Sequence, residues 1–274
     1  MTVPHDWAIY GPFSSLNDKQ EVAISQDGQK EAMEHAGRTG GLPFVGVGWY
    51  RTEFDGPQFQ AGKRATILFD GAMSHANVYI NGQKVGYWPY GYNSFHFDIT
   101  KYLKPGEKNT LAVRLENLPE SSRWYPGAGL YRNVHLIITE DAYIPVWGTY
   151  ITTPSVNEKF AKVNVRTKVV LPEGADPAKY SVETSVWNPN KQKLTAVRTS
   201  LAQMKYNNNQ AEQEFVIQAP SLWSPEMPAL YSAETRLYEG DKLKDIYTTP
   251  FGIRSIEIIP DKGFFLNGKR TVFK

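Results

Sequence analysis

The sequence predicts an all-β protein made of two successive β-sandwiches. Three observations carry that expectation. Apolar and polar residues alternate with period two along most of the chain, and sustained helical periodicity is nearly absent. Asn-Gly pairs punctuate alternating runs at Asn81-Gly82 and Asn267-Gly268, where a tight type I′ hairpin turn needs positive φ at both central residues. The length, 274 residues, suits two domains at about 100–200 residues each.

In chain order, Ala65-Thr66-Ile67-Leu68-Phe69 reads as a buried strand. Val78-Tyr79-Ile80, Asn81-Gly82 and Gln83-Lys84-Val85 read as a hairpin. Phe95, Phe97 and Ile99 alternate with His96 and Asp98. Leu111, Val113 and Leu115 alternate with Ala112 and Arg114, and Val134–Ile138 closes this group. Residues 14–41 differ: they are polar, poor in large apolar side chains, and glycine-rich at Gly37, Gly40 and Gly41. A long exposed loop is expected there, with one or two helical turns near Gln29–His35.

A second strand group follows Pro145. Val163, Val165, Thr167 and Val169 alternate with Asn164, Arg166 and Lys168, and Tyr180, Val182, Thr184 and Val186 repeat the pattern. Phe215-Val216-Ile217 and Tyr231–Leu237 add two more strands. About seven short strands over roughly 110 residues, broken by turn residues, predict an immunoglobulin-like sandwich. The last stretch, Phe264–Phe273, is a second Asn-Gly hairpin with an apolar arm. An uncovered apolar edge strand invites unwanted pairing, so either it pairs back on the sandwich or something large normally follows it.

Composition closes off several function classes. Lys+Arg 30 against Asp+Glu 28 leaves a net charge of +2, which gives no reason to expect a nucleic-acid or lipid partner. No apolar run approaches the roughly 20 residues of a membrane-spanning helix. The chain has no cysteine, so disulfides, thiolate nucleophiles and cysteine-ligated zinc are excluded. His5, His35, His75, His96 and His135 show neither a helical i, i+4 nor a His-x-His spacing, and no metal centre is expected. A Gly-x-Ser-x-Gly elbow is missing. Gly127-Ala128-Gly129 begins like a dinucleotide fingerprint, but Arg132 takes the third glycine position and a strand follows, so no cofactor is expected. Glu53 and Asp55 share one strand face at about 6.5–7 Å, near the lower range of an inverting glycosidase pair. The plainer reading is a solvated strand end beside Gly56-Pro57.

The aromatic content is high, with Tyr 16, Phe 13 and Trp 7. It concentrates in two loops, Tyr87–Asn93 and Ser121–Arg132. Aromatic rings offer an apolar face to the C–H side of a sugar, while Arg and Asn reach its hydroxyls. Trp88, Tyr90, Arg123 and Trp124 are therefore the candidate substrate-binding residues. The alternative is that Trp88 and Trp124 plug the ends of the sandwich core.

These segments resemble, in chain order, the non-catalytic N-terminal part of glycoside hydrolase family 2, most closely its β-galactosidases. Val3-Pro4-His5-Asp6-Trp7 resembles the family's opening, and Gly48-Trp49-Tyr50-Arg51 its first core strand. Phe69-Asp70-Gly71, Val78-Tyr79-Ile80-Asn81-Gly82 and Phe97-Asp98-Ile99-Thr100 look like its jelly-roll signature. The most specific stretch is Arg123-Trp124-Tyr125-Pro126-Gly127-Ala128-Gly129-Leu130-Tyr131-Arg132-Asn133-Val134. Leu222-Trp223-Ser224-Pro225 with Pro228, Leu230-Tyr231 and Phe251-Gly252-Ile253-Arg254 resembles the end of its immunoglobulin-like domain. Phe265-Leu266-Asn267-Gly268-Lys269 resembles the hairpin that leads into its (β/α)₈ barrel.

The resemblance implies a galactose-binding-like jelly roll over 1–142, an immunoglobulin-like sandwich over 143–254, and a hairpin at 255–274 leading into a catalytic barrel. It implies a retaining exo-glycosidase whose two glutamates, about 5–5.5 Å apart, sit on barrel strand ends. No catalytic residue is then expected in this chain, which should be inactive by itself. Arg123 stands where several relatives carry a carboxylate. Its guanidinium fork would meet hydroxyls or an acidic group, or serve a structural ion pair. The implied partners are a β-galactoside-like carbohydrate and the enzyme's own barrel, with a homo-oligomer allowed and neither nucleic acid nor membrane involved. Family habit favours a periplasmic or extracellular location. The competing readings are a freestanding carbohydrate-binding module, a structural β protein, and a parent enzyme with β-glucuronidase or β-mannosidase specificity.

Overall fold

Strands form where the alternation runs. Along β4 (Lys63–Phe69) the side chains of Ala65, Ile67 and Phe69 are buried and those between them are not. The protein, a computed structural model, is described over residues 2–14, 16–17, 19–22, 33–36, 42–58, 62–119, 121, 125–202 and 210–273. It divides into two units, Met1–Ile138 and Thr139–Lys274.

In the first unit, β1 (Lys19–Val22) pairs antiparallel with β2 (Met33–Ala36). The main strands are β3 (Gly46–Asp55), β4, β5 (Ala76–Ile80), β6 (Gln83–Trp88), β7 (Phe95–Asp98), β8 (Lys108–Asn117) and β9 (Val134–Glu140). They form a four-stranded sheet in the order β3-β8-β5-β6 and a three-stranded sheet in the order β7-β4-β9. This is the expected jelly-roll sandwich. Val78, Ile80, Val113 and Leu115 from one sheet meet Ala65, Ile67, Phe69 and Phe95 from the other. The rings of Phe69 and Phe95 stack at 4.8 Å. The first Asn-Gly hairpin is present, with φ of 50° at Asn81 and 80° at Gly82. A bulge interrupts it where Val78 faces Gly86 but Tyr79 faces Lys84.

Residues 14–41 require a correction. Met33 to His35 lies in a strand instead of a helical turn, and its backbone is matched to Val22, Glu21 and Gln20. Cross-strand pairing engages the facing backbone groups of both segments, and local periodicity carries no trace of it. Gln29 to Ala32 lie outside the described residues.

The second unit holds β10 (Thr149–Val156), β11 (Phe160–Lys168), β12 (Tyr180–Trp187), β13 (Lys193–Ser200), β14 (Gln210–Gln218), β15 (Tyr231–Glu239) and β16 (Lys242–Phe251). Sheets β10-β11-β14 and β13-β12-β15-β16 face each other, which is the expected seven-stranded immunoglobulin-like sandwich. Its core is rich in β-branched and small residues such as Val163, Val165, Val182, Val186 and Ala233. Gln213 on β14 crosses between the sheets, donating from Nε2 to the carbonyls of Val182 (3.1 Å) and Val197 (2.8 Å). The buried hydroxyls of Thr184 and Thr235 bond at 3.1 Å. The second Asn-Gly hairpin, β18 (Gly263–Leu266) and β19 (Lys269–Arg270), joins β17 (Ile256–Ile259) in a three-stranded sheet of its own instead of either sandwich sheet.

Candidate functional site

The jelly-roll rim is assembled by the N-terminal segment and three loops. A short 3₁₀ turn, Ala8–Tyr10, follows Asp6, whose Oδ1 accepts the Ala8 N–H at 2.9 Å. The same carboxylate reaches the aromatic loop before β9. The Tyr125 hydroxyl donates to it, 2.6 Å from Oδ2 and 2.8 Å from Oδ1, and the Ala128 N–H donates to Oδ2 at 3.2 Å. Burial pushes the Tyr125 hydroxyl far above its ordinary pKa, and the hydrogen bond to Asp6 and that group's charge push the same way. Tyr125 is therefore a neutral, permanent donor that fixes the loop.

His5 adds a second tie. Its N–H donates to the Leu130 carbonyl at 2.8 Å, its ring stacks on Tyr10 at 5.2 Å, and its Nδ1 lies 2.8 Å from the Tyr50 hydroxyl. Burial also raises the pKa of Tyr50. Gly129, with φ of +83°, packs so closely that an added Cβ would strike the Tyr50 hydroxyl and the His5 carbonyl. Its backbone exchanges two hydrogen bonds with Met73, each 3.0 Å.

The two aromatic loops predicted from sequence are brought together. The Tyr131 hydroxyl donates to the Gly91 carbonyl at 2.7 Å, and the His75 N–H donates to the Pro89 carbonyl at 3.1 Å. The Arg132 guanidinium lies over the Tyr131 ring at 5.3 Å and donates to the Asp70 carbonyl at 3.3 Å. Of the candidate residues, Tyr90 is exposed and meets Tyr92 edge to face at 5.6 Å. Trp88 turns inward, stacked on Phe95 at 5.6 Å and packed against the core. Arg123 and Trp124 lie outside the described residues. The described loop that follows them, held by Asp6, is ordered by ties that sequence reasoning missed. No local signal marks Asp6 as the partner of a tyrosine 119 positions away.

The rim holds no hydrolytic carboxylate pair among the described residues. Asp6 is committed to loop geometry, and Asp70 bonds His135 at 2.9 Å. Glu53 and Asp55 are both exposed, and Asp55 pairs with Lys108 at 3.3 Å, which agrees with a solvated strand end. Asp245, in the second unit, is the one carboxyl among the described residues whose pKa is raised. Burial is the cause, against the backbone donors Ile144 and Ile246. A groove of about 740 Å³ between β3 and β9 is lined largely by apolar groups, among them Ile67, Leu111, Val113 and Leu130, and offers little to a sugar's hydroxyls. Among the described residues the rim therefore offers loops and aromatic rings but no acid and nucleophile pair.

Comparison with known proteins fits that picture. Residues 42–140 match the family model for the glycosyl hydrolases family 2 sugar binding domain, and residues 143–254 match a second glycosyl hydrolases family 2 model. The chain is 38% identical to the β-galactosidase BoGH2A of Bacteroides ovatus over 99% of its own length and 30% of that protein. It is 30% identical to a β-glucuronidase of Formosa agariphila over 82% of its length and 25% of that protein. Among solved structures, a glycosyl hydrolase family 2 member from Bacteroides cellulosilyticus superposes with a TM-score of 0.81 at 31% identity. That match covers 98% of this chain and 33% of the other. The chain thus spans about a third of the length of such relatives. With both family models and the fold in register along nearly its whole length, the chain belongs to glycosyl hydrolases family 2.

Proposed function

We propose that residues 1–142 and 143–254 are the non-catalytic sugar-binding-type and immunoglobulin-like domains of a retaining, β-galactosidase-like glycosidase. Residues 255–274 would be the hairpin that leads into its catalytic barrel. The pair of glutamates that cuts the glycosidic bond belongs, in this reading, to the part of the relatives' length that this chain does not span. The observation that carries the reading is the Asp6–Tyr125 clamp, which holds the end of the loop bearing Arg123 and Trp124. That loop and Tyr90 would line the pocket's rim and contact the terminal sugar, and Trp88 would support the second loop from behind. β-Glucuronidase specificity is the second reading, favoured by the similarity to proteins of that name.

The test has two parts. The 274-residue chain alone should not turn over an aryl β-galactoside or β-glucuronide. In an enzyme that carries this chain in front of a family barrel, Asp6→Ala should lower kcat/KM by about 10- to 100-fold by loosening the loop, as a misplaced positioning group does. Turnover by the isolated chain that point changes within it abolish would overturn the proposal. So would an unaltered kcat/KM in the Asp6→Ala enzyme.

A further inference from the structure

The outer face of the β3-β8-β5-β6 sheet carries features that sandwich packing does not explain. Strand register sets Trp49 beside Arg114 and Asn77, and Arg51 beside Ala112 and Tyr79. These positions alternate with Tyr50, Val113 and Val78, which face the core, so they point away from it. Ala112 is the short side chain in the middle. Diagonally across it the rings of Trp49 and Tyr79 approach to 5.8 Å at 33°, and Trp49 is left 60% exposed. The result is a shallow depression of about 860 Å³, walled by the two rings and Thr110 and rimmed by Arg51, Lys104 and Lys108.

The charges around this depression are unbalanced. Arg114 is neutralised by Glu116 at 3.0 Å, and Lys108 faces Asp55 in a largely solvated pair. Arg51 and Lys104 are exposed, and their side chains have neither an ion pair nor a hydrogen bond among the described residues. No carboxylate lines the depression among the described residues. A tryptophan ring held 60% in water against a second ring, beside two cations without an ion pair among the described residues, suits a ligand that covers the ring and brings a negative charge. A nucleic acid would need a broader basic stripe than a chain of net charge +2 provides. Ring faces suit the C–H side of a pyranose, and a free guanidinium fork suits a carboxylate.

We propose that this face binds an acidic saccharide, a chain containing uronic acid residues. Trp49 and Tyr79 would stack on a sugar ring, with Arg51 and Lys104 on its carboxylate. The site is separate from the Asp6–Tyr125 rim network and does not depend on the function proposed above. Titration calorimetry of the 274-residue chain with a galacturonate tetramer, its methyl ester and poly-glutamate tests the proposal. Saturable binding of the free acid is expected. It should weaken by about tenfold or more on methyl esterification or in the Arg51→Gln/Lys104→Gln variant, since each removes charge-assisted hydrogen bonds. Trp49→Ala should weaken it comparably through lost stacking, with an unchanged melting temperature, and Tyr90→Ala should leave it unaltered. Absence of saturable binding overturns the proposal, as does equal affinity for the methyl ester. Equal affinity for poly-glutamate, or insensitivity to Trp49→Ala, reduces the face to a plain basic patch and overturns it too. This titration reads binding heat whereas the rim test reads turnover, so this site and the rim function fail or stand independently.

Discussion

In the first unit a single carboxylate, Asp6, ties together segments 119 positions apart, and the ties it makes are between loops. In the second unit the polar ties buried in the sandwich run between strands: Gln213 bridges two sheets, and Thr184 bonds Thr235 across neighbouring strands. Both units are antiparallel sandwiches, yet the Asp6 ties of the first shape a rim while Gln213 and the threonine pair of the second hold strands and sheets together. Loop-to-loop ties leave backbone turns and aromatic side chains presented at an edge, where a ligand can be met. Strand-to-strand ties fix the register of the sheets themselves.

Four experiments bear on this contrast. The largest losses should come from the cores, where the two units behave alike. Phe69→Ala should cost about 3–5 kcal/mol and Leu237→Ala about 2–5 kcal/mol, both side chains being fully buried. Urea unfolding checks this. A much smaller loss in either would mean that the unit repacks freely. Leu111→Ala should cost less, because Leu111 is only partly buried.

Next come matched glycine changes. Gly129 and Gly240 both have positive φ, +83° and +57°. A Cβ on Gly129 collides with Tyr50 and His5, whereas one on Gly240 meets nothing within 4 Å. Gly240→Ala should cost about 1 kcal/mol from backbone strain alone. Gly129→Ala should cost about 2–4 kcal/mol, because strain and overpacking add. Equal melting temperatures for the two variants would contradict the close-packed rim.

Matched hydroxyl deletions follow. Tyr125→Phe leaves the Asp6 carboxylate without its hydroxyl donor and should cost about 1–3 kcal/mol. Thr184→Val strands the buried Thr235 hydroxyl and should cost about 1 kcal/mol, while the Thr184→Val/Thr235→Val pair should recover most of it. Urea unfolding measures the single changes and a double-mutant cycle the threonine pair, where additivity would deny their coupling.

The smallest effect is one of pH. Burial holds the Asp245 carboxyl above its ordinary pKa. The folded chain thus keeps a proton that the unfolded chain has already released. The stability this adds is complete below the unfolded pKa and fades as pH rises through the folded one. The stability of wild type relative to Asp245→Asn should therefore fall as pH rises through and beyond the ordinary aspartate range. A flat difference would remove burial as the cause.

Much of the fold is legible in the sequence because burial on one face of a strand writes a period of two. Val163 and Val165, Val182 and Val186, and Ile67 and Phe69 all declare their strands this way. Both Asn-Gly turns are equally plain. The β1–β2 pair is not, because its partners were chosen by backbone pairing across a long separation and local composition looked like a loop. The rim was half legible. Its aromatic loops stood out by composition, and Tyr90 is exposed as a ligand contact would need. Which tryptophan turns inward, and what holds the loops together, depend on contacts such as Tyr131 to Gly91 that no spacing encodes.

The two Asn-Gly turns also set how this protein ages. An asparagine before glycine deamidates when its side-chain carbonyl carbon is attacked by the next backbone nitrogen. Here neither carboxamide is free to turn. Asn81 donates to Tyr102 and Asn109 while accepting from Thr110, and Asn267 donates to Trp223 while accepting from Ser255. Each amide is locked by contacts outside its own turn, so succinimide formation waits on local opening. Peptide mass mapping of stored protein should find little isoaspartate at either site while the fold holds, and a rapid rise at both once it is denatured.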